Sequence, residues 1–597
     1  MMKTSAFSKV EQSFFDASGR DAYTTMIPYI VVPNVPALGM LAALRFLEWV
    51  DGNPEGVISL PTGKTPEYFI KWTSRLLNGW DDKENRALME RHGLSLQKKP
   101  SLRGLRFVQT EDFYPIDPEQ HNSYYHYVTN FYIRGFDLDP TRALLINANE
   151  IQLAQGKHYS EVFPDNIIDL SLRNREAGSN LEKLQQESLF RIDNWCMSYE
   201  NRIREMGGIG FYLGGMGPDG SMASNTRGSD HNSTTRLTAT NFENQAASAS
   251  DLGGIEVSRN RLVITVGLGT ITFNPDGLTL IFAAGESKAQ VVKNALENPI
   301  DNLYPATVLQ RQRNARFYIT EGAAVKLNDS VEKYYREGPW TFEKTERAIF
   351  DLCRNINKYA HRLELKDLQE DTYCSMIPDL SMDRVQDVID STKRKIEKGL
   401  LKEKDQVFLH TGPHHDDIML GIFPCITPQL REASNKFHFT ICTSGFTAVT
   451  NEMLMNYMVE TLAHVEQDKI NMIEYPDFFE KGYMYKFDKD VSHYLNKIAA
   501  NDEAGKLRGL CHRIVRVMVG IYKLNSRQEL EEQLRKNIEL LKSSYGGQKN
   551  PPDIQKLKGM LREFEEELVW AHYGVRVRDI QHLRLGFYTG DIFTPQP

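Results

Sequence analysis

From about residue 30 to 320, short apolar and β-rich runs alternate with helical patterns: VISL at 57, LRFVQT at 105, IGFYLGG at 209, LVITVGL at 262 and LTLIFAAG at 278. Short apolar runs separated by helix-length segments predict an α/β domain with a largely parallel sheet. Residues 327 to 405 then turn charged and helical, ending in STKRKIEKGLLKEKDQ, whose mixed charges suit a solvated connector. A second strand-turn unit opens with VFLHTGPHHDDIMLG and continues with KFHFTICTSG, two strands that begin another α/β sheet. Between about 486 and 575 the pattern is helical again. There Ser526 and Glu529 read as a capping box before Leu530, Leu534, Ile538 and Leu541, and Gly546-Gly547 as the stop. The strand-like HLRLGFY and DIFTPQP close the chain. A sheet begun at 407 ordinarily needs more strands, so this domain is expected to be either truncated or unusually short. The expected division is 1–325, a helical connector over 326–404, and 405–597 with a helical insertion at about 486–575.

Length agrees with several domains, since 597 residues exceed what one hydrophobic core organises. The net charge of -8 is spread without a basic block. That disfavours nucleic acid or an anionic membrane as partner and leaves small anionic metabolites. Six cysteines lie scattered without CxxC pairing, which argues against a disulfide framework or a cysteine zinc site. The amino terminus intersperses charges, and no run of about 18 apolar residues follows. A cytoplasmic location is expected.

Chemistry enters at four turns of the first half. VISLPTGKTPEYFIKW reads strand, turn, helix, with Thr65 as cap, Pro66 in the first position and Phe69, Trp72 and Leu76 as the buried stripe. The free N–H groups of such a helix start form an anion site, here Thr62, Gly63, Lys64 and Thr65. LIFAAGESKAQVVKNAL places Lys288 in a first helical turn, within reach of an anion at neighbouring strand ends. In QTEDFYPIDPEQHNSYYHY, Glu111 and Asp112 follow a strand and offer a carboxylate base, but adjacent residues of an extended chain point oppositely, so only one faces a ligand. The fourth turn, GGMGPDGSMASN, sets Asp219 among glycines.

In this order the four pieces resemble the glucosamine-6-phosphate deaminase/6-phosphogluconolactonase family over roughly residues 30 to 325. LPTGKTP matches its phosphate loop, TEDFYPIDPEQHNSYY its acidic pair, GGMGPDGSMASN its catalytic glycine loop, and TVGLGT and GESKA its last two blocks. The resemblance implies a Rossmann-like fold and a sugar 6-phosphate ligand, with Glu111 moving a proton between sugar carbons C1 and C2. It implies catalytic positions at Glu111, Asp112, Asp219 and Ser221, and substrate contacts at Thr62, Gly63, Lys64, Thr65, Gly215, Gly217, Arg236 and Lys288. Four positions depart from the family: Glu111 stands where it usually has aspartate, Ser250 where an arginine is expected after Arg236, and two more lie in the glycine loop. Ser221 stands where both branches have histidine and Thr226 where the deaminases have glutamate, the two residues that act together in ring opening. A hydroxyl does not titrate near neutral pH, and general acid/base help is worth about 10²- to 10⁴-fold.

The second half carries PHHDD after the strand VFLH, which sets His414 and Asp417 three apart, close enough to share a divalent ion, with Asp416 as base for a bound water. TGPHHDDIMLG with the later ICTSG resembles the PIG-L/LmbE family of zinc-dependent N-deacetylases, which usually read P-H-P-D-D-E. His415 replaces the proline and Ile418 the glutamate. The resemblance implies a second Rossmann-like domain with zinc held by His414 and Asp417. The family's third ligand, a histidine near the end of its domain, has no match before Pro597.

The expected protein acts in amino-sugar phosphate metabolism, with a deaminase-like first domain, a deacetylase-like second domain, a small-molecule sugar phosphate as partner, and a homo-oligomer left open. The rivals are a catalytically impaired sugar-phosphate sensor and a 6-phosphogluconolactonase-like hydrolase.

Overall fold

A computed structural model describes residues 6–20 and 25–587. The chain forms two compact units, one reaching Val331 and including Gly546–Gln548, the other starting at Glu332 without those three residues. Among the described residues no helix is long and apolar enough to cross a membrane.

The first unit carries β1 (Tyr29–Val32), β2 (Val57–Ser59), β3 (Arg106–Val108), β4 (Glu111–Tyr114), β5 (Ala143–Leu144), β6 (Phe211–Gly215), β7 (Arg236–Ala239), β8 (Leu262–Thr265), β9 (Leu278–Ala283) and β10 (Ala315–Thr320). Seven of them form one parallel sheet in the order β1-β10-β9-β6-β2-β3-β5. Every residue of β1, β9 and β10 is buried, because helices cover both faces of such a sheet, and this is why the strands read as unbroken apolar runs. Tyr212, Ile281, Phe317 and Ile319 belong to its core. Each side chain buried this way contributes about 1.5–3 kcal/mol.

LVITVGL departs from the expectation of one parallel sheet. Its strand β8 pairs antiparallel with β4 and β7 in a separate three-stranded sheet. An apolar run buried on both faces carries no mark of strand direction, so the two settings read alike.

The second unit holds β11 (Val407–Gly412), β12 (Lys436–Thr443) and β13 (Ile580–Leu585), parallel and in that order. Helices Asn451–Glu466, Phe487–Ala499, Glu503–Tyr522, Arg527–Lys542 and Pro552–His572 lie between β12 and β13, so the helical stretch starts at 451. They enclose their own core, including Leu454, Met458, Ile514, Met518, Leu534 and Leu557. Ser526 Oγ accepts the Glu529 N–H at 3.2 Å, but the Glu529 carboxylate turns to Asn525 N, so the capping box is half made. The charged segment ahead of β11 includes helices Phe342–Asn355 and Met382–Leu400, the latter burying Val385 and Val388.

Candidate functional site

The four turns singled out in the sequence follow four strands that are neighbours in the sheet. β9, β6, β2 and β3 lie side by side, and their carboxyl ends lead to Lys288, the glycine loop, the phosphate loop and Glu111 respectively. Ligands of open α/β sheets lie at this edge.

The phosphate loop is built differently from its sequence reading. The helix Glu67–Asn78 starts two residues beyond Thr65, with Pro66 at its cap position and no side-chain cap. The Glu67 N–H reaches Lys64 O at 3.2 Å, so a turn stands where the cap was expected. Phe69 and Leu76 are buried as expected, whereas Trp72 is half-buried and donates to Pro36 O at 3.1 Å. Gly63 adopts φ 83°, a left-handed conformation that glycine enters without strain. The Tyr127 hydroxyl donates to Gly63 O at 2.9 Å and the Tyr132 hydroxyl to Pro61 O. Tyr124 is hydrogen-bonded to Thr62, and Thr65 overlies Gly215, where an added methyl would lie 3.8 Å from Thr65 Oγ1.

The acidic pair splits between two tasks. Asp112 is buried and bound to the local backbone: Oδ1 accepts from Phe113 N at 2.8 Å and Tyr124 N at 2.9 Å, and Oδ2 from Tyr125 N at 2.7 Å and Gln109 Nε2 at 3.2 Å. Burial pushes its carboxyl up to about 7 while these four N–H groups draw it back. With its lone pairs engaged, Asp112 anchors the start of the helix Tyr124–Val128 and leaves Glu111 as the carboxylate that turns elsewhere. Burial raises the Glu111 carboxyl above its ordinary value, and a hydrogen bond from Ser224 Oγ to Oε2 opposes that rise.

In the glycine loop, Asp219 is buried, with Oδ2 accepting from Asn241 Nδ2 at 2.6 Å and Oδ1 from Ser221 N at 3.1 Å and Asn244 Nδ2 at 3.3 Å. Burial alone would raise its carboxyl, but the donors from Ser221 and Asn241 outweigh it and hold Asp219 below the ordinary carboxylate value. The buried Ser221 hydroxyl faces the Asn244 amide at 3.3–3.4 Å. Gly217 is required for this packing, because a Cβ there would lie 2.1 Å from Ser221 Oγ. Burial lowers the Lys288 ammonium below its ordinary value and nearby Asp219 opposes the fall. Arg236, on β7, donates to Thr234 O and Ser229 Oγ at 3.3 and 3.4 Å. It flanks Thr265 in register from one side while Glu111 flanks it from the other, which sets all three on one face of the small sheet.

Asn241, Asn244, Ser224 and the tyrosines of SYYHY were not singled out from the sequence. The spacing Asn241-x-x-Asn244 is a helix-start signal, and Asn241 does cap the helix Phe242–Leu252, but nothing in that pattern points to Asp219.

In the second unit, His414 Nδ1 lies 3.2 Å from Asp417 Oδ2. Two donors each about 2.1 Å from one ion stand about 3 Å apart, so the pair fits a shared divalent ion. Among the described residues no group of three His, Cys, Asp or Glu that could hold a metal forms, so none of these residues completes the pair to the three-ligand set of a catalytic zinc. Asp416 lies 3.7 Å from Arg562. His415 is buried and stacks on His582 at 5.4 Å, and burial lowers both imidazoles to about 4.

No protein-family model matches the chain. Sequence comparison finds a glucosamine-6-phosphate deaminase of Borrelia hermsii, 32% identical over 150 residues, covering 24% of this chain and 54% of that one. A putative glucosamine-6-phosphate deaminase-like protein of Bacteroides thetaiotaomicron is 26% identical over 287 residues, 45% of this chain and 42% of that one. This chain thus spans about half the length of these two relatives. Human glucosamine-6-phosphate deaminase 2 is 26% identical over 298 residues, 49% of this chain and 86% of that one. Among solved structures, a monomeric glucosamine-6-phosphate deaminase aligns over 50% of this chain and 99% of its own at 21% identity with a TM-score of 0.37. A 6-phosphogluconolactonase from Leishmania guyanensis aligns over 50% and 98% at 14% identity with a TM-score of 0.34. The amino-terminal half of the chain is therefore similar in sequence to glucosamine-6-phosphate deaminases.

Proposed function

We propose that the first unit binds an amino-sugar 6-phosphate and converts it to a ketose phosphate with release of ammonia. The observation that carries this reading is the convergence of the phosphate loop, the glycine loop, Lys288 and Glu111 on the carboxyl ends of four adjacent strands. Lys64, Lys288 and the loop N–H groups supply the phosphate grip. Glu111 takes the proton from one sugar carbon and returns it to its neighbour, a role that suits a half-buried carboxyl whose desolvation raises it above its ordinary value and strengthens it as a base. Hydrolysis of the resulting imine consumes one water and releases ammonia. The test is ammonia release from glucosamine 6-phosphate by the purified full chain and by Glu111→Gln. Release by the first and loss of at least about 10²-fold in the second is expected; no release above background by the unaltered chain would overturn the reading.

One observation favours a second reading, sugar-phosphate sensing without turnover. Ser221 and its partner Asn244 supply no group that titrates near neutral pH beside Asp219. Saturable binding of glucosamine 6-phosphate with no ammonia would establish it. No observation in the site favours the lactonase alternative over these two.

For the second unit we propose a PIG-L/LmbE-like N-deacetylase domain, supported by the strand-turn placement of His414, Asp416 and Asp417 and by the 3.2 Å spacing of the ligand pair. A bound zinc would supply a Lewis acid there, held in part by His414 and Asp417.

A further inference from the structure

Glu111 has two carboxyl oxygens, and the structure treats them unequally. Oε2 accepts a hydrogen bond from Ser224 Oγ. Ser224, in the glycine loop, is itself tied to β8 by its N–H, which donates to Thr265 Oγ1 at 3.3 Å, and Thr265 is the residue that pairs in register with Glu111. The next residue, Asn225, is buried and donates from Nδ2 to Met222 O at 3.1 Å and Val266 O at 2.9 Å. Met222 is bridged in turn to Met216 at the end of β6. Between these anchors Ala223 takes φ 47°, a left-handed conformation that costs a residue with a Cβ about 1–2 kcal/mol. The strained residue immediately precedes Ser224 in the chain.

The titratable groups facing Glu111 are Tyr124 and Tyr212, whose hydroxyls burial keeps protonated. The Ser224 hydroxyl opposes the effect of burial on Glu111, and Arg236 lies on the same face of the small sheet beyond Thr265.

We propose that Ser224 is the positioning residue of Glu111, its hydroxyl holding Oε2 so that Oε1 is the oxygen that exchanges the proton with substrate. This rests on the proton-transfer role proposed above. Oε1 takes the proton from one sugar carbon, the bonding electron pair stays in the substrate as a carbon–carbon double bond, and the same proton passes to the neighbouring carbon. Glu111 ends ionised, as it began.

The test uses the full chain, Ser224→Ala and Ser224→Thr. The first readout is independent of turnover: the pH dependence of carbodiimide labelling at Glu111, followed by peptide mass spectrometry, since only the protonated carboxyl reacts. Removing a donor from the ionised form moves the labelling midpoint of Ser224→Ala to higher pH, and Ser224→Thr, which keeps a hydroxyl, restores it. The second readout is ammonia release, in which Ser224→Ala loses about tenfold or more in kcat with KM little changed, because a misplaced base acts in the transition state alone. A labelling midpoint that is the same in all three proteins overturns the proposal. Absence of ammonia from the unaltered chain overturns the deaminase reading and leaves the labelling result to decide the hydrogen bond by itself.

Discussion

Asp219 shows how a buried carboxylate is kept charged. Its two oxygens meet three donors, and the Asn241 amide at 2.6 Å is the shortest of them. A carboxyl held below its ordinary value in the fold contributes stability that is present above the unfolded value and lost as pH falls through the folded one. Asn241→Leu removes one donor, so the variant unfolds at a lower temperature than the unaltered chain at pH 7. The gap narrows in acid, where Asp219 is protonated in both. Thermal unfolding followed from pH 7 down to about 3 checks this, and a gap independent of pH would refute it. The residue scale also shows what sequence reasoning reaches. Glu111 and Asp112 are equivalent as neighbours in a string, and alternation along a strand says only that they part. Which of them faces Ser224 and which the N–H groups of residues 124 and 125 depends on contacts more than ten residues away.

At the scale of elements, the phosphate loop is held by hydroxyls that the sequence places over sixty residues downstream. Tyr127 and Tyr132 engage the carbonyls of Gly63 and Pro61 and so fix the path of the loop backbone. Tyr127→Phe deletes one hydrogen bond worth about 1 kcal/mol, so Kd for glucosamine 6-phosphate rises about fivefold with the fold retained. Calorimetric titration reads this directly, and an unchanged Kd would show that the loop holds itself. Strands β2, β3, β6 and β9 were legible because parallel strands covered on both faces are largely apolar runs. β8 was legible as a strand and not as a member of a different sheet, since pairing partners leave no trace in a run of Leu262, Val263, Ile264 and Thr265. Thr65 looked like a helix cap because Thr-Pro is a common helix start, and the extra turn closed by Lys64 O overrode that local preference.

On the whole-molecule scale the described residues fall into two compact units, the first with a core around the seven-stranded sheet, the second with one core among the helices between β12 and β13 and another against the sheet β11-β12-β13. Domains with separate cores melt as separate cooperative units, so calorimetry of the full chain is expected to show two transitions. On the proposed function, glucosamine 6-phosphate at about 100 times its Kd is expected to stabilise the first unit by about 2.7 kcal/mol, which moves one transition and leaves the other in place. A single transition, or an equal shift of both, would contradict this. The rigid sheet beneath the candidate site has one more consequence, in the history of the chain. Phosphate loop, glycine loop and acidic turn each hang from a different strand. A lineage can therefore exchange an imidazole for the hydroxyl of Ser221 in one loop while the other loops keep their places. Selection acts on such a scaffold one loop at a time, and recognition of a ligand can outlive, or precede, the reaction performed on it.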